Sequence, residues 1–200
     1  SRRASVAIAR SAISGVAIGV IASVLRSFTA LSDVSLAHNN RHTRVTMQAA
    51  NGIAGLIQMA PRLTRLDVSD VPFDTQHMVA MCTALRRNST LVCVDFGAPE
   101  SPDDRIDSAF LNAFAVRRLI DVIDSNHCQQ LQSLLLDNRT IDARACDALI
   151  DALRRNTRLT ALTRVAPSCD CIEFRSHTDQ LIVETALRRN ATDAALRNSI

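Results

Sequence analysis

The strongest constraint on this chain is that one stretch of it repeats. Residues 131–159 align without a gap with residues 63–91, and each unit runs 28 residues from one leading leucine to the next. Both units end in the segment Ala-Leu-Arg-Arg-Asn and then return to a leucine. A fixed period of this length is the sequence signature of a repeat architecture, in which each unit buries its apolar faces against its neighbours.

Each unit reads as a short strand followed by a helix. The first, fourth and sixth positions are apolar, and the last step is the period-two alternation of a strand with one buried face. The apolar spacing then changes to i, i+3, i+4, i+7, which places those residues on one side of a helix. Asp74 and Asp142 stand just before the two helical runs, where an N-cap is expected. The later unit's apolar positions are Leu131, Leu134 and Leu136, then Cys146, Leu149, Ile150 and Leu153.

This pattern resembles the leucine-rich-repeat proteins of the ribonuclease-inhibitor-like type, whose units alternate strand and helix at about this length. The resemblance implies an α/β leucine-rich-repeat solenoid, a short horseshoe arc with parallel strands on the concave side and helices on the convex side. The sequence departs from the family at the ninth position of the unit, which is usually Asn or Cys. Only Asn39 keeps the Asn, so we expect irregular turns after the other strands.

We expect a single domain over residues 1–200. Residues 1–30 are expected to form the N-terminal helix of an incomplete repeat, and residues 159–200 a degenerate last repeat with a C-terminal cap. The repeats between them are predicted at residues 31–62, 63–90, 91–130 and 131–158. The sequence further predicts a first strand at residues 31–36 and helices at residues 45–59, 107–125 and 176–189.

The N-terminal segment has two interpretations. Residues 1–27 are rich in Ala, Ser, Ile and Val and carry arginines but no acidic residue, a composition typical of a mitochondrial transit peptide. Residues 24–31, however, align with residues 84–91 at the end of a repeat, which favours a helix of the first repeat. Gly15 and Gly19 form a GxxxG in an apolar run that is short for a membrane span and favours a buried helix.

The composition suits a folded intracellular domain. Hydrophobic residues make up 47% of the chain, and Trp and Tyr are absent, so the core is expected to be aliphatic. A net charge of +3 is too small to indicate nucleic-acid binding by itself. Cys82 and Cys146 fall on buried helix positions, where a free thiol behaves as a small apolar group. We therefore expect a reducing compartment, with the cytoplasm first and the mitochondrion as the alternative.

The side chains between the buried strand positions point to the concave side of the predicted arc. Proteins of the family that this chain resembles bind other proteins there, so the resemblance implies a protein-binding face. Leu135 is expected to be an exposed apolar contact on it. The candidate partner-binding residues are Asp33, Arg65, Asp67, Asp95, Ser133, Leu135 and Asp137.

Paired arginines recur at the ends of the repeat helices. Stacked repeats would place them in a row, and such a basic ridge could hold phosphate or an acidic protein. The alternative is that cations in the last helical turn answer the negative end of the helix dipole. The candidate ridge consists of Arg86, Arg87, Arg154, Arg155, Arg188 and Arg189.

No catalytic residue, metal ligand or cofactor is predicted. The five histidines stand in no Ser/His/Asp or Cys/His motif, and the sequence contains no phosphate-binding glycine loop. Cys169 and Cys171 offer two thiols, whereas a structural zinc site needs four ligands.

We therefore expect a non-enzymatic protein–protein interaction scaffold, a structural subunit of a larger assembly. Two alternatives stay open. One is an RNA-associated structural subunit of a mitochondrial ribonucleoprotein that uses the arginine ridge, although few aromatic residues are present to stack on bases. The other is a leucine-rich-repeat recognition module of a bacterial effector.

Overall fold

The computed structural model describes residues 3–39, 45–98, 110–124, 128–137, 140–141, 143–162 and 177–198. Strands and helices alternate along most of these residues. The strands are β1 (Ala4–Ala7), β2 (Leu31–Ser35), β3 (Arg65–Asp67), β4 (Cys93–Asp95), β5 (Phe110–Leu111), β6 (Ser133–Leu135) and β7 (Thr140–Ile141). The helices are α1 (Gly15–Leu25), α2 (Met47–Met59), α3 (Thr75–Leu85), α4 (Ala113–Ile123), α5 (Ala143–Arg155) and α6 (His177–Asn198).

Five strands form one parallel sheet in the order β1-β2-β3-β4-β6. From β2 to β6 the register does not shift, and the residues that lie side by side at its centre are Val34, Leu66, Val94 and Leu134. Ala161 extends the sheet by a single bridge to β6. Strands β5 and β7 form a separate parallel pair. Each crossover between neighbouring strands of the larger sheet contains a helix, and consecutive helices pack against one another.

The core between the sheet and the helices is mainly aliphatic, as the composition predicts. The leading leucine of each unit is buried, and so are the fourth and sixth strand positions in the units that begin at residues 31, 63, 91 and 131. Phe73 and Phe96 are the largest fully buried side chains among the described residues. The period-two pattern of the strands and the helical spacing behind it therefore point into the same core.

The described part of the turns after the strands is regular. Of the ninth positions that depart from Asn or Cys, Val71 is described and its turn does not show the expected irregularity, whereas Pro99, Arg139 and Pro167 lie outside the described residues. After β1, β2, β3 and β4, backbone N–H groups donate to carbonyls of the next unit, and the same bonds recur from unit to unit. The donor and acceptor pairs are Ile8–Ser35, Leu36–Asp67, Val68–Asp95, Phe96–Leu135, Arg10–Ala37, His38–Ser69, Asp70–Gly97 and Ala98–Asp137. Backbone hydrogen bonds hold the described part of these turns, and the turn at Val71 is regular without Asn or Cys at the ninth position.

Asn39 adds side-chain bonds to the turn where that family residue is kept. Its buried amide donates to the carbonyl oxygens of Ile8 at 2.5 Å and Leu36 at 2.9 Å. Its side-chain oxygen accepts the backbone N–H of Ser11 at 2.9 Å. Asn39 therefore joins the turn after β2 to the turn after β1.

A buried asparagine stabilises the return from helix to strand. Asn88, three residues before a leading leucine, donates its side-chain amide to the carbonyl of Ile57 at the end of α2 (2.6 Å). Its side-chain oxygen accepts the N–H of Leu91 at 2.7 Å. One side chain thus satisfies a helix-end carbonyl of the preceding unit and an N–H of its own return.

Two further units use the same position. Asn156 donates to the carbonyl of Ile123 at 2.8 Å and accepts from Leu159 at 2.8 Å. Cys128 occupies the position in the unit that lacks the Ala-Leu-Arg-Arg-Asn segment, and its thiol donates to the carbonyl of Leu85 at 2.5 Å. The asparagine that ends the repeated segment is therefore a structural residue between units, which its position in the sequence motif alone does not reveal.

Helices α1 and α2 approach each other closely through glycines. A Cβ on Gly52 would lie 2.5 Å from the carbonyl oxygen of Gly19, and a Cβ on Gly19 would lie 2.9 Å from the Cα of Ala49. Gly19, the second glycine of the GxxxG, therefore belongs to a helix–helix contact inside the fold. Among the described residues, no helix is both long enough and apolar enough to cross a membrane.

The N-terminal segment contributes a strand as well as a helix. The sequence predicts only a helix for residues 1–30, but Ala4–Ala7 form β1, which pairs in parallel with β2. Helix α1 then begins after Ser14, whose side chain accepts the N–H of Ala17. The four residues of β1 carry no strong alternation of apolar and polar side chains, so the pattern that predicts the other strands is absent there.

Helix α4 is shorter than predicted at its N-terminal end. Phe110–Leu111 form β5, and Asn112 caps the helix by accepting the N–H groups of Phe114 and Ala115. Residues 107–109 and 125 of the predicted helix lie outside the described residues. Asp74 is the N-cap of α3, as predicted, whereas Asp142 also lies outside the described residues.

Helix α6 is longer than predicted and continues through Asn190 to Asn198. The side chain of Asn190 donates to the carbonyls of Asn156 at 3.1 Å and Leu159 at 2.8 Å, so this asparagine contacts the preceding unit without ending its own helix. The position of the next leading leucine is occupied by Asp193, so no apolar residue is available to begin another strand there.

We predict that Gly52→Ala destabilises the protein, because the added methyl group meets backbone atoms of α1 that cannot move without separating the helices. The expected loss is about 1–3 kcal/mol in the free energy of unfolding, measured by urea denaturation. Gly55→Ala is the matched control in the same helix, since its Cβ would lie 3.5 Å from the flexible side chain of Arg26. It should be neutral or stabilising by up to about 1 kcal/mol. Equal effects of the two substitutions would contradict the close contact.

We predict that Asn88→Ala lowers the free energy of unfolding by about 2–3 kcal/mol, because it leaves buried backbone groups of two units without their partner. The measurement is again urea denaturation, followed by circular dichroism. Asn51→Ala removes an exposed amide from α2 and should change stability by less than about 0.5 kcal/mol. A loss at Asn88 no larger than at Asn51 would rule out the bridging role.

Candidate functional site

The outward side of the five-stranded sheet carries two columns of side chains, which we call the open sheet face. Strands of a sheet lie about 4.8 Å apart, so the side chains within a column are direct neighbours. The first column, in register from β2 to β6, is Asp33, Arg65, Cys93 and Ser133. The second column is Ser35, Asp67, Asp95 and Leu135.

Hydrogen bonds fix the two carboxylates at the centre of the second column. Asp67 Oδ2 accepts from the hydroxyl of Ser35 at 3.0 Å, and its Oδ1 accepts from the N–H and hydroxyl of Ser69 at 3.1 and 2.8 Å. Asp95 Oδ1 accepts the N–H of Gly97 at 3.0 Å. These carboxylates are held in place before any partner arrives, which lowers the entropy lost on binding.

Gly97 lets a further carboxylate approach the same place. A Cβ on Gly97 would lie 3.2 Å from Asp95 Oδ1 and 3.3 Å from the Cβ of Asp137. The backbone N–H of Ala98 donates to the carbonyl of Asp137 at 2.7 Å, which holds the segment after β6 against the segment after β4. Asp137 therefore lies beside Asp95 although the two are far apart in sequence.

The open sheet face is acidic in a chain whose net charge is +3. Of the predicted candidates, Arg65 is the only one with a positive charge. Its guanidinium shares the face with four carboxylates: Asp33, Asp67, Asp95 and Asp137. This excess of carboxylates favours groups of positive charge at the face.

The charges on this face affect the pKa of the Cys93 thiol. Burial is the main cause that raises the pKa of its thiol above the usual value; Asp95 and Asp67 raise it further, whereas Arg65 and a hydrogen bond with Ser133 lower it. The thiol is therefore protonated at neutral pH and is not an activated nucleophile. Cys93 therefore adds no activated thiolate to the open sheet face.

Leu135 is less exposed than the sequence predicts. The sequence predicts an exposed apolar contact, but the side chain is only partly accessible. Leu135 lies next to Asp95 in the second column. On its other side the sheet continues only as the single bridge to Ala161. Leu135 gives the acidic face an apolar border on its β6 side.

A pair that the sequence analysis does not predict lies at the end of the strands. His38 Nδ1 contacts Asp70 Oδ2 across two neighbouring turns, and both residues have a positive φ, at 56° and 57°. They occupy the eighth position of consecutive units, which is the only sequence signal that relates them. The pair adds a polar rim to the open sheet face.

The paired arginines lie among carboxylates on the helices. Arg86 is 3.8 Å from Asp121, and Arg155 is 2.9 Å from Asp124, so both pairs join one helical unit to the next. Exposed pairs of this kind contribute little stability, typically about 0–1 kcal/mol each. They do reduce the positive potential that a row of arginines would otherwise present.

Three further arginines of the predicted ridge, Arg154, Arg188 and Arg189, also contact acceptors. Arg154 pairs with Asp151 at 2.9 Å, and Arg188 lies 3.5 Å from Glu184. Arg189 donates to the carbonyl of Asn156 at 2.6 Å, just beyond the end of α5. The helix-dipole interpretation holds for Arg154 and Arg155, which lie in the last turn of α5, but Arg188 and Arg189 lie inside α6.

In the part of the chain that the structure describes, no group of three or more His, Cys, Asp or Glu side chains could hold a metal ion. The candidate thiols Cys169 and Cys171 lie outside the described residues. Cys82 and Cys128 are buried side chains; burial raises the pKa of Cys82 strongly and that of Cys128 to about 11. Neither is a reactive thiolate at neutral pH.

The parallel sheet with a helix in each crossover defines a leucine-rich-repeat-like α/β fold, and comparison with known proteins supports this. The leiomodin-1 actin-binding site 2 structure matches with a TM-score of 0.68 at 12% identity, over 88% of this chain and 91% of that one. The tropomodulin C-terminal domain of Caenorhabditis elegans matches with a TM-score of 0.66 at 16% identity, over 90% of this chain and 97% of that one.

At this level of sequence identity, the similarity to both structures is a similarity of fold alone. No family model matches the sequence, and the search of curated proteins found no match. The α/β repeat fold that the sequence predicts is therefore confirmed, while the ribonuclease-inhibitor-like subtype is not distinguished by these neighbours.

We predict that charges on the open sheet face control the alkylation of Cys93 by iodoacetamide. Arg65→Gln removes a group that lowers the thiol pKa, so the thiolate fraction falls and alkylation slows by about threefold at neutral pH. Asp95→Asn removes a group that raises the pKa, so alkylation becomes faster by a similar factor. Mass spectrometry of the peptide that contains Cys93 measures both rates.

Arg154→Gln on α5 is the control for this experiment and should leave the alkylation rate of Cys93 unchanged. Changes in the same direction for Arg65→Gln and Asp95→Asn would contradict the electrostatic account of the face.

Proposed function

We propose that this chain is a short leucine-rich-repeat solenoid whose function is non-enzymatic protein–protein interaction, as a scaffold or subunit of a larger assembly. The proposed binding surface is the open sheet face, on the concave side of the arc. The observation that carries the proposal is the unbroken register from β2 to β6, which lines up outward side chains of four strands in two columns.

This face has the properties of a preformed binding surface. Its central carboxylates are oriented by hydrogen bonds with Ser35, Ser69 and Gly97, so binding does not have to order them. Leu135 supplies apolar area at one border. A partner that fits this arrangement presents Arg or Lys side chains to the carboxylates and an apolar side chain beside them.

The structural neighbours support a protein as the ligand. The leiomodin-1 structure, which has the same fold, is by its title an actin-binding site. A protein surface with basic side chains is therefore the partner class that we propose for this chain. The absence of a reactive thiolate or metal cluster among the described residues of the face is compatible with this proposal.

The arginines support RNA binding less well. Phosphate binding needs cations whose charge is available to the phosphates, because release of counterions supplies most of its affinity. Arg86, Arg154 and Arg155 each lie within 4 Å of a carboxylate of this chain. We therefore propose the sheet, and not the arginine ridge, as the partner-binding surface.

The test begins with affinity isolation of the tagged protein from its native source after nuclease treatment. Mass spectrometry then identifies a co-purified protein, and its amount is compared between variants. Asp67→Asn with Asp95→Asn keeps the size of each side chain and one acceptor oxygen in it but removes two charges, and the expected result is an about tenfold loss of that protein. Arg154→Gln with Arg155→Gln should retain it.

Thermal melts of both double variants confirm that each remains folded. Retention of the partner by the aspartate variant together with its loss from the arginine variant would refute the proposal. Loss of every partner after nuclease treatment would also refute it and favour the RNA-associated alternative.

A further inference from the structure

The edge at which the strands begin contains two hollows. Their volumes are about 450 Å³ and about 770 Å³, both within the usual range of ligand sites. Gln130 lines both hollows, so they meet at this residue. We call the two together the strand-start groove. The residues of it that matter below are Arg3, Arg62, Gln129, Gln130, Gln132 and Arg158.

The repeat itself builds this groove. The residue after each leading leucine donates its backbone N–H to the carbonyl of the same residue in the preceding unit. The donor and acceptor pairs are Thr64–Ser32, Val92–Thr64, Gln132–Val92 and Thr160–Gln132. Matching side chains of successive units therefore follow one another at the strand spacing of about 4.8 Å. Units precede Arg62 and follow Gln130, so this part of the groove is not an uncovered end of the sheet.

The described lining of the groove carries positive charge. Arg3 and Arg62 line the first hollow, and no described residue that lines this hollow is acidic. Arg158 lines the second hollow. The acidic residue in the described lining of that hollow is Asp124, which pairs with Arg155 at 2.9 Å. The groove therefore favours a ligand of negative charge.

The thiol of Cys128 senses the same positive charge. Burial raises the pKa of this thiol to about 11, whereas the guanidiniums of Arg158 and Arg86 lower it. Cys128 directly precedes Gln129 in the lining of the second hollow. The potential at this hollow is therefore set by arginine.

The groove and the open sheet face differ in charge. Parallel strands all begin at one edge of a sheet and end at the other. Arg62 precedes β3, whereas Asp67 and Asp95 are the last residues of β3 and β4. The sheet thus has a basic edge where its strands begin and an acidic edge where they end.

Three glutamines give the groove the groups that recognise a peptide backbone. Gln129, Gln130 and Gln132 are exposed, and no hydrogen bond joins their side chains to another described residue. Each amide offers donors and an acceptor, and a peptide bond offers one of each. The hydroxyls of Thr64 and Thr90 already donate to backbone carbonyls, at 3.1 and 2.9 Å. The glutamine amides are therefore the neutral groups that are available to a ligand.

The spacing of the arginines fits an extended chain. Arg62 and Arg158 precede positions that are three strand spacings apart in the sheet, which is about 14 Å. In an extended peptide, residues i and i+4 lie on the same side and about 13 Å apart. Acidic side chains at i and i+4 would therefore reach both guanidiniums.

A nucleic acid fits the groove less well. It carries a phosphate at every nucleotide, and its affinity grows with the number of phosphates that cations neutralise. Neutral side chains separate Arg62 from Arg158 along the groove. No aromatic residue is present in the described lining, so stacking on bases is not supplied there.

We propose that the strand-start groove binds an extended acidic segment of a partner protein. The segment crosses the starts of the strands and places carboxylates at positions i and i+4 against Arg62 and Arg158. Its backbone bonds to the glutamine amides between them. The groove is separate from the open sheet face, so either surface can bind while the other is empty.

The test uses two labelled peptides of about 12 residues, enough to cross the groove in extended form. Both consist of Ser, Thr and Gln and have capped ends. One has Glu at two positions four apart, and the other has Gln at both. Fluorescence anisotropy with the full chain should show that the Glu peptide binds about tenfold more tightly. Raising the salt concentration to about 0.5 M should remove most of this difference.

Gln130→Glu places a negative charge where the two hollows meet and should weaken binding of the Glu peptide by about tenfold. Gln58→Glu makes the same change on the exposed side of α2 and should leave binding unchanged. Arg62→Gln should weaken binding about fivefold, whereas Arg117→Gln, at an exposed position of α4, should not. Thermal melts followed by circular dichroism confirm that each variant is folded.

Equal binding of the two peptides, or no binding of the Glu peptide up to about 1 mM, would overturn the proposal. Equal losses in Gln130→Glu and Gln58→Glu would do the same. A loss of peptide binding in Asp67→Asn with Asp95→Asn would move the peptide to the open sheet face.

A labelled oligouridine of about ten nucleotides tests the other class of ligand. The acidic segment requires that this RNA bind more weakly than the Glu peptide. Tighter binding of the RNA that is lost in Gln130→Glu would assign the groove to a nucleic acid and overturn the proposal.

Discussion

The structure depends on backbone hydrogen bonds between short parallel strands that share one register. Strands β3, β4 and β6 have three residues each, too few to be stable alone. They persist because the same bonds continue from the strands into the turns and because the leading leucines fill the core behind them. Each unit is therefore stable only with its neighbours, and a change at one contact between units affects both sides of it.

The returns from helix to strand extend this dependence to the helical side. Asn88, Cys128 and Asn156 each satisfy a carbonyl at the end of the preceding helix, which fixes how one unit follows another. The proposed binding surface follows from this regular succession. The open sheet face exists because outward side chains of successive strands must line up.

Much of the fold is predictable from the sequence because burial and period agree in the middle units. The leading leucines, the strand at residue 31 and the helix after Asp74 follow from spacing alone. Strand β1 is not predictable, since four small residues give no alternation, and the end of α6 is not, since Asn190 keeps its bonds inside a continuing helix. The candidates Asp67 and Asp95 follow from the same alternation, but the approach of Asp137 and the His38–Asp70 pair need the turns in three dimensions.

Carboxyl footprinting of the complex tests the central claim, that the open sheet face binds a protein, most directly. The chain is labelled with a carbodiimide and an amine, alone and with its isolated partner, and each aspartate is quantified by mass spectrometry. The account predicts that labelling of Asp67 and Asp95 falls in the complex while labelling of Asp151, on the exposed side of α5, stays the same. Protection of Asp151 with unchanged labelling of Asp67 and Asp95 would contradict it.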